Sequence, residues 1–169
     1  MICSPTPEMK AEFLSFLRLA RGTLSKKADP KLELSVASVM AMYEGVQEYP
    51  KGRAFFPILR HDTTGEVLGF AILQEMFMPK VVEGMVSTIP YGFIWALYKT
   101  PTTISGKSVL GWGNHELISA MVGWAKERGH HHLAGNCSPD FCVKAARRYG
   151  FQVKHLVMEL EVAAWQSKM

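Results

Sequence analysis

The stretch GKSVLGWGNHEL, Gly106 to Leu117, decides how the rest of the chain is read. GKS is the end of a phosphate-binding loop of the form GxxxxGK[ST], whose backbone amides cradle phosphates while the lysine reaches the terminal ones. The full match would be PTTISGKS, residues 101–108, with Pro101 where the first glycine belongs. Proline has no N–H to give and a fixed φ, so it cannot supply that turn. Gly111 and Gly113 then fall where the helix of such a loop would already be running. The second parse makes them a glycine loop between a strand (91–99) and a long amphipathic helix (113–129). Glycine tolerates φ > 0 and close backbone approach. The first turn of a helix presents unpaired N–H groups and the positive end of its dipole, a backbone-built site for a pyrophosphate. A plain strand-to-helix turn fits the same residues.

Working outward, residues 1–4 read as a short strand. Pro7 to Arg21 reads as a helix with Met9, Phe13, Phe16, Leu17 and Ala20 at helical spacing. LSVASVMAMYEGVQ carries Val36, Val39, Met40 and Tyr43, a second helix expected to end near Gly45. The period then changes: residues 54–60 and 66–77 are rich in apolar, β-branched and aromatic residues and flank the turn sequence DTTGE, a hairpin. MPKVVEGMVSTIP, residues 78–90, reads as a covering loop. In the helix 113–129, Leu117, Met121 and Trp124 share one face and Gly129 holds the C-cap position. HHLAGN is a short strand. SPDFCVKAARRYG is a helix with Ser138 as N-cap, Pro139 at its first position and Gly150 as its stop. FQVKHLVMELEV closes as a strand. The order β-α-α-β-β-β-α-β-α-β predicts an α/β (α+β) fold, helices on both faces of a mixed sheet, as one domain over 1–169.

Bulk properties narrow the function. The 169 residues suffice for a domain with a real core, and the composition is ordinarily globular. A net charge of +4 favours small anionic ligands but does not argue for nucleic acid. No apolar run approaches the ~20 residues of a membrane span. No basic-then-apolar leader is visible at MICSPTPEMK, and Cys3, Cys137 and Cys142 form neither a CxxC nor an even set. A cytoplasmic protein is the expectation. His130-His131-His132 cannot converge on one ion, because neighbouring strand residues alternate faces, so no metal site is expected. Cys142 reads as a buried thiol, with no histidine placed to activate it.

With the tail included, the pattern resembles the GNAT superfamily of N-acetyltransferases. The family's acetyl-CoA loop, [Q/R]xxGx[G/A], corresponds to Ser108-Val109-Leu110-Gly111-Trp112-Gly113; LISAMVGWAKERG resembles the helix after it, AARRYGF the end of the last helix, and SPTPEM the N-terminal stretch. The resemblance implies a GNAT-like, mostly antiparallel central sheet of six to seven strands. It implies acetyl-CoA as co-substrate and direct acetyl transfer to an amine acceptor, a small molecule or a protein, with a homodimer as one arrangement of the chain. Ser108 to Gly113 would hold the pyrophosphate and Asn136 the pantetheine arm. A backbone N–H near Leu97 or Tyr98 would bond the thioester carbonyl. The strand FIWALY carries no carboxylate, which leaves Glu75, acting through water, as a base; Glu83 and His115 are weaker candidates. Two positions depart from the pattern: Ser108 replaces Gln or Arg, with Lys107 beside it, and Ala146 replaces the tyrosine that protonates the leaving thiolate. Tyr149, nearly a turn further on, reads as a core residue. The departures favour the alternative, a GNAT-fold protein that has lost catalysis and serves as a binding or structural module.

Overall fold

Phe13 organises the N-terminal half. It lies in helix α1 (Lys10–Leu24), entered through an extended Thr6, with Pro7 at the first helical position, and a 3-10 turn at Pro7–Met9. Phe13, Phe16, Leu17 and Ala20 are buried, a single stripe at the spacing of a helix face. Helix α2 (Val36–Glu48) adds buried Val39, Met40 and Tyr43. The Phe13 ring stacks on Tyr43 (centroids 5.0 Å apart) and meets Phe56 (5.6 Å) and Phe70 (5.4 Å) edge-on. The Tyr43 hydroxyl donates to the Thr6 carbonyl at 2.6 Å, so the ring buries its body and still satisfies its polar tip. α2 continues through Gly45, where the sequence predicts its end; nothing lies within 4 Å of where a Cβ would be.

In the computed structural model the described residues are 1–24, 36–48, 53–100, 102–104, 107–109, 114–135 and 150. The chain divides into two units, Met1–Asn136 and Cys137–Met169, and every described helix and strand belongs to the first. The helix expected over 138–149 and the closing strand lie outside the described residues. Among the described residues six strands form a mixed, mostly antiparallel sheet: β1 (Ile2–Cys3), β2 (Ala54–Phe55), β3 (Ile58–Arg60), β4 (Val67–Val82), β5 (Met85–Lys99) and, in parallel, a further strand at Leu133–Gly135. Their order is β1-β3-β4-β5 and then that last strand, with β2 also on β4. Two short strands, β6 (Thr102–Ile104) and β7 (Lys107–Val109), pair separately. The sequence predicts a loop from Gly106 onward; Lys107–Val109 is strand instead, opposite the β-branched Thr102, Thr103 and Ile104. Helix α3 (Asn114–Glu127) follows, and Leu133–Gly135 is β8.

Phe55 and Phe56 show that both sheet faces are covered. Successive strand residues point to opposite sides. Phe56 enters the α1–α2 core, while Phe55 stacks flat on Trp124 of α3, centroids 5.8 Å apart. Leu117, Met121 and Trp124 are buried on one face of α3, as the sequence periodicity predicts. α3 ends in a left-handed Gly129 (φ 70°), with the His130 N–H bonded back to the Ala125 carbonyl at 2.8 Å, the hydrogen-bond pattern of a glycine-terminated helix. No helix among the described residues is long and apolar enough to cross a membrane.

The covering loop expected over 78–90 is not a loop. β4 and β5 run on as one ladder to a two-residue turn at Glu83 (φ 51°) and Gly84 (φ 79°), closed by the Val82–Met85 pair. Two central residues with positive φ give the hairpin turn whose twist matches its strands. Further back the ladder carries a bulge: Leu73 faces Ile94 and Ile72 faces Ala96, so Trp95 is an extra residue on β5.

Trp124 joins α3 to the sheet through Phe55, His130 and the Arg128 guanidinium. Trp124→Ala is expected to lower unfolding free energy by about 3–5 kcal/mol. Urea denaturation checks this, and a loss under about 1 kcal/mol would mean that this face carries no core.

Candidate functional site

Among the described residues β5 is paired on both sides over three positions. On one side β4 accompanies it throughout, and on the other β8 pairs with Gly92, Phe93 and Ile94. Past Ile94 no strand among the described residues covers that edge. Antiparallel pairs alternate between those that exchange hydrogen bonds and those that do not. The Thr100 N–H donates to the Leu68 carbonyl at 2.9 Å. Counting back along the register, Tyr98 exchanges bonds with Phe70, and the N–H of Leu97 points away from β4 toward the uncovered edge. From sequence, Leu97 and Tyr98 are equal candidates. The ladder separates them: Leu97 presents its backbone outward, and Tyr98 packs its ring against Phe16 (5.8 Å) and Phe70 (6.2 Å) in the α1–α2 core.

The start of α3 belongs to the same end of the sheet, since α3 runs back to deliver β8 alongside β5. Ser108 and Val109 lie in β7. Leu110, Gly111, Trp112, Gly113 and Asn136 lie outside the described residues, as do Ala146 and Tyr149. Near this end burial lowers the pKa of Lys99, the last residue of β5, and the charge of Glu116 works against that shift. Glu116 sits in the first turn of α3 with Oε2 buried and without a hydrogen-bond partner. Neither residue stands out in the sequence; a lysine ending a strand and a glutamate opening a helix carry no local signal. His115, one residue before Glu116, is exposed.

Glu75 is placed elsewhere. It faces Gly92 across the β4–β5 ladder, four residues beyond Ala71, the partner of Leu97. At about 3.4 Å per residue this separates Glu75 from Leu97 by about 14 Å along the strand, more than one bridging water can span. Its side chain is only 12% exposed and fully engaged. Oε2 accepts from His130 Nε2 at 2.8 Å and lies 3.8 Å from Arg128 Nη1, while Oε1 lies 3.2 Å from Arg53 Nε. His130 is buried against Trp124, and its Nδ1 has no hydrogen-bond partner. His131 and His132 are exposed, so the histidine triplet splits into one internal and two external residues. Among the described residues no group of three or more His, Cys, Asp or Glu side chains could hold a metal ion. The Glu75–His130 contact spans 55 residues of sequence, which is why no motif points to it.

No protein-family model and no curated protein sequence matches the chain. Its fold, in contrast, is shared with solved acetyltransferases. A predicted acetyltransferase from Clostridium acetobutylicum, solved with acetyl-CoA, aligns at a TM-score of 0.66 with 15% identity, covering 97% of each chain. An acetyltransferase from Trypanosoma brucei aligns at 0.60 with 18% identity, over 96% of this chain and 99% of that one. The aminoglycoside 6'-N-acetyltransferase of Acinetobacter haemolyticus aligns at 0.60 with 20% identity, over 95% and 97%. The chain therefore has the GNAT-like fold that its sequence resembles.

The engaged Glu75 carboxylate makes a stability prediction. The Arg53 pair is mostly solvent-exposed and contributes little; the bond to the fully buried His130 ring is the strong one. Glu75→Gln is expected to lower unfolding free energy by about 1.5–3 kcal/mol, the range for a hydrogen bond to a charged group. Urea titration reads this directly, and a change below about 0.5 kcal/mol would mean that water carries the contact.

Proposed function

We propose that this chain is an acyl-CoA-dependent acyltransferase, an N-acetyltransferase moving the acetyl group of acetyl-CoA to an amine by direct attack. The observation that carries the reading is the edge of β5 past Ile94, where the Leu97 N–H faces away from β4. A thioester carbonyl lying against that edge accepts a hydrogen bond that strengthens as its oxygen gains charge. The amine nitrogen bonds to the carbonyl carbon, the C–S bond breaks, and the sulfur leaves as thiolate while the nitrogen sheds a proton. A thiol with a pKa near roughly 8.5 leaves with little protonation, so water serves as the acid and Ala146 is tolerated.

The donor set fits the co-substrate. Backbone amides of the segment from Ser108 to Gly113, which leads from β7 into α3, would hold the pyrophosphate, Lys107 would stand in for the side chain missing at Ser108, and Asn136 would bond the pantetheine arm. For Glu75 we propose a positioning role in place of the base: it fixes His130 and the end of α3, and the amine enters neutral or gives its proton to water. The second reading, a GNAT-fold binding module without catalysis, is favoured by Ser108 and Ala146.

Calorimetry with acetyl-CoA separates these readings from a chain that has the fold alone. Binding is expected, and Gly111→Val should weaken it at least tenfold, about 1.4 kcal/mol, because a side chain there blocks the approach of the pyrophosphate. Unchanged affinity in the folded variant would sink the placement. Thiol release is then followed over a panel of amines that includes aminoglycosides, for which one structural neighbour is named, together with polyamines and peptide N-termini. Release on at least one amine is expected; CoA binding with no turnover on the panel would favour the binding module. Tyr149→Phe should keep any turnover within about tenfold of the parent. A loss of about 10²–10⁴-fold, with affinity and folding intact, would make Tyr149 the general acid.

A further inference from the structure

Among the described residues the outer half of the β4–β5 hairpin has no neighbours in the sheet. The last β2 pair on β4 is at Gln74, and the β8 pairs on β5 begin at Gly92. Residues 77–90 therefore form a two-stranded arm of six residues a side joined by the Glu83–Gly84 turn, about 20 Å long. Such a ribbon is at best marginally stable alone in water. Its sequence, FMPKVVEGMVSTIP, contains only two charges, Lys80 and Glu83, and Glu83 is in the turn. Phe77, Met78, Val81, Met85 and Val86 are exposed, Val86 to 74%.

The register sorts these residues by face. Directly opposed residues share a side, so Phe77 with Pro90, Pro79 with Thr88 and Val81 with Val86 form one face, which carries no charge. Met78, Ile89, Lys80, Ser87 and Met85 lie on the other. At the base of the uncharged face the Arg53 guanidinium lies over Phe77, already paired with Glu75.

The two prolines define how the arm can be met. The Glu75 N–H donates to Arg53 on the β2 side, so the odd-numbered residues of β4 direct their N–H outward, Pro79 among them. The Gly92 N–H donates outward to His132, so Pro90 also occupies an outward position. Each outer edge of the arm thus lacks one donor, at the base for Pro90 and two residues further out for Pro79, which opposes strand addition at those points. What remains for contact is a face.

We propose that the arm is the contact surface of a symmetric homodimer, in which the face of Phe77, Pro79, Val81, Val86, Thr88 and Pro90 packs on the same face of a second copy. A two-fold interface requires a patch that complements itself. An uncharged apolar face does so without like-charge repulsion, although the chain as a whole carries +4. An anionic surface, nucleic acid or lipid, would call for cations, and the arm offers one, Lys80, on the opposite face. The face exposes roughly 500 Å², so two copies bury roughly 1,000 Å², near the lower limit for a specific interface. That size predicts a reversible dimer in the micromolar range.

Sedimentation velocity of the full chain from 1 to about 200 μM tests this. A concentration-dependent dimer is expected. Val86→Glu should raise the dissociation constant at least tenfold with an unchanged melting temperature, since the side chain is exposed in the monomer. Met85→Glu, on the other face, should leave the dimer intact. A monomer throughout the range overturns the proposal, as does a dimer indifferent to Val86→Glu or one broken equally by Met85→Glu. Monomeric protein that binds lipid vesicles through the arm would overturn it in favour of a membrane surface.

Discussion

Gly92 is the position at which β5, β8 and α3 come together. A Cβ there would stand 2.6 Å from the Leu133 side chain and 2.9 Å from the Trp124 ring, both closer than atoms pack. The bare Cα lets β8 come alongside β5 in parallel, with Trp124 of α3 closing over the junction. It also faces Glu75, which ties His130 to β4 just before β8 begins. His130, held by Glu75 and by the end of α3, precedes β8 by three residues and so helps to set where that strand starts along β5. The described part of β8 then makes three pairs with β5, and the functional reading rests on the stretch of β5 past them.

What is legible in the sequence follows from how local the signal is. The stripes of α1 and α3 repeat within a few residues, and the Gly129 stop needs only its own helix, so both can be read directly. The arm cannot, because its strands lack the alternation that marks a half-buried strand. Apolar side chains stand on both of its faces, and Pro79 and Pro90 argue against a strand until the register shows that neither position donates to the ladder. Gly45 misleads in the opposite direction: a glycine on an uncrowded helix face is tolerated mid-helix. Of the site residues, Leu97 is legible only as part of a strand, since which of two neighbours turns its N–H outward depends on a bulge set by tertiary pairing. Glu75 is legible only as a carboxylate in a strand. Its partner His130 is hidden by distance in sequence, and by two neighbouring histidines that face solvent.

The proposed site, assembled from main-chain groups, would also account for the contrast between a shared fold and a sequence that no family model matches. An outward N–H on β5 and the amides of a helix start constrain the path of the chain and say little about its side chains. Glycine is required only where a Cβ would collide, and elsewhere the residue types are free to drift. Side-chain motifs such as a triad or a metal cluster leave spaced, fixed letters in a sequence; a backbone edge leaves almost none.

The bulge at Trp95 also fixes which residues reach the α1–α2 core. Phe93 and Trp95 meet edge-on at 4.9 Å on the same side of the sheet, and past the bulge Ala96 and Tyr98 face the core. Were β5 to close up as a regular strand without losing a residue, alternation would carry on from Trp95, which would then stand opposite Ile72, with Leu97 opposite Phe70. Tyr98 would turn to the other face and leave Phe16 and Phe70 without its ring. Leu97, now opposite Phe70 in a pair that exchanges hydrogen bonds, would spend its N–H on β4. One surplus residue thus serves two ends at once: it seats an aromatic ring in the core and frees a donor at the edge.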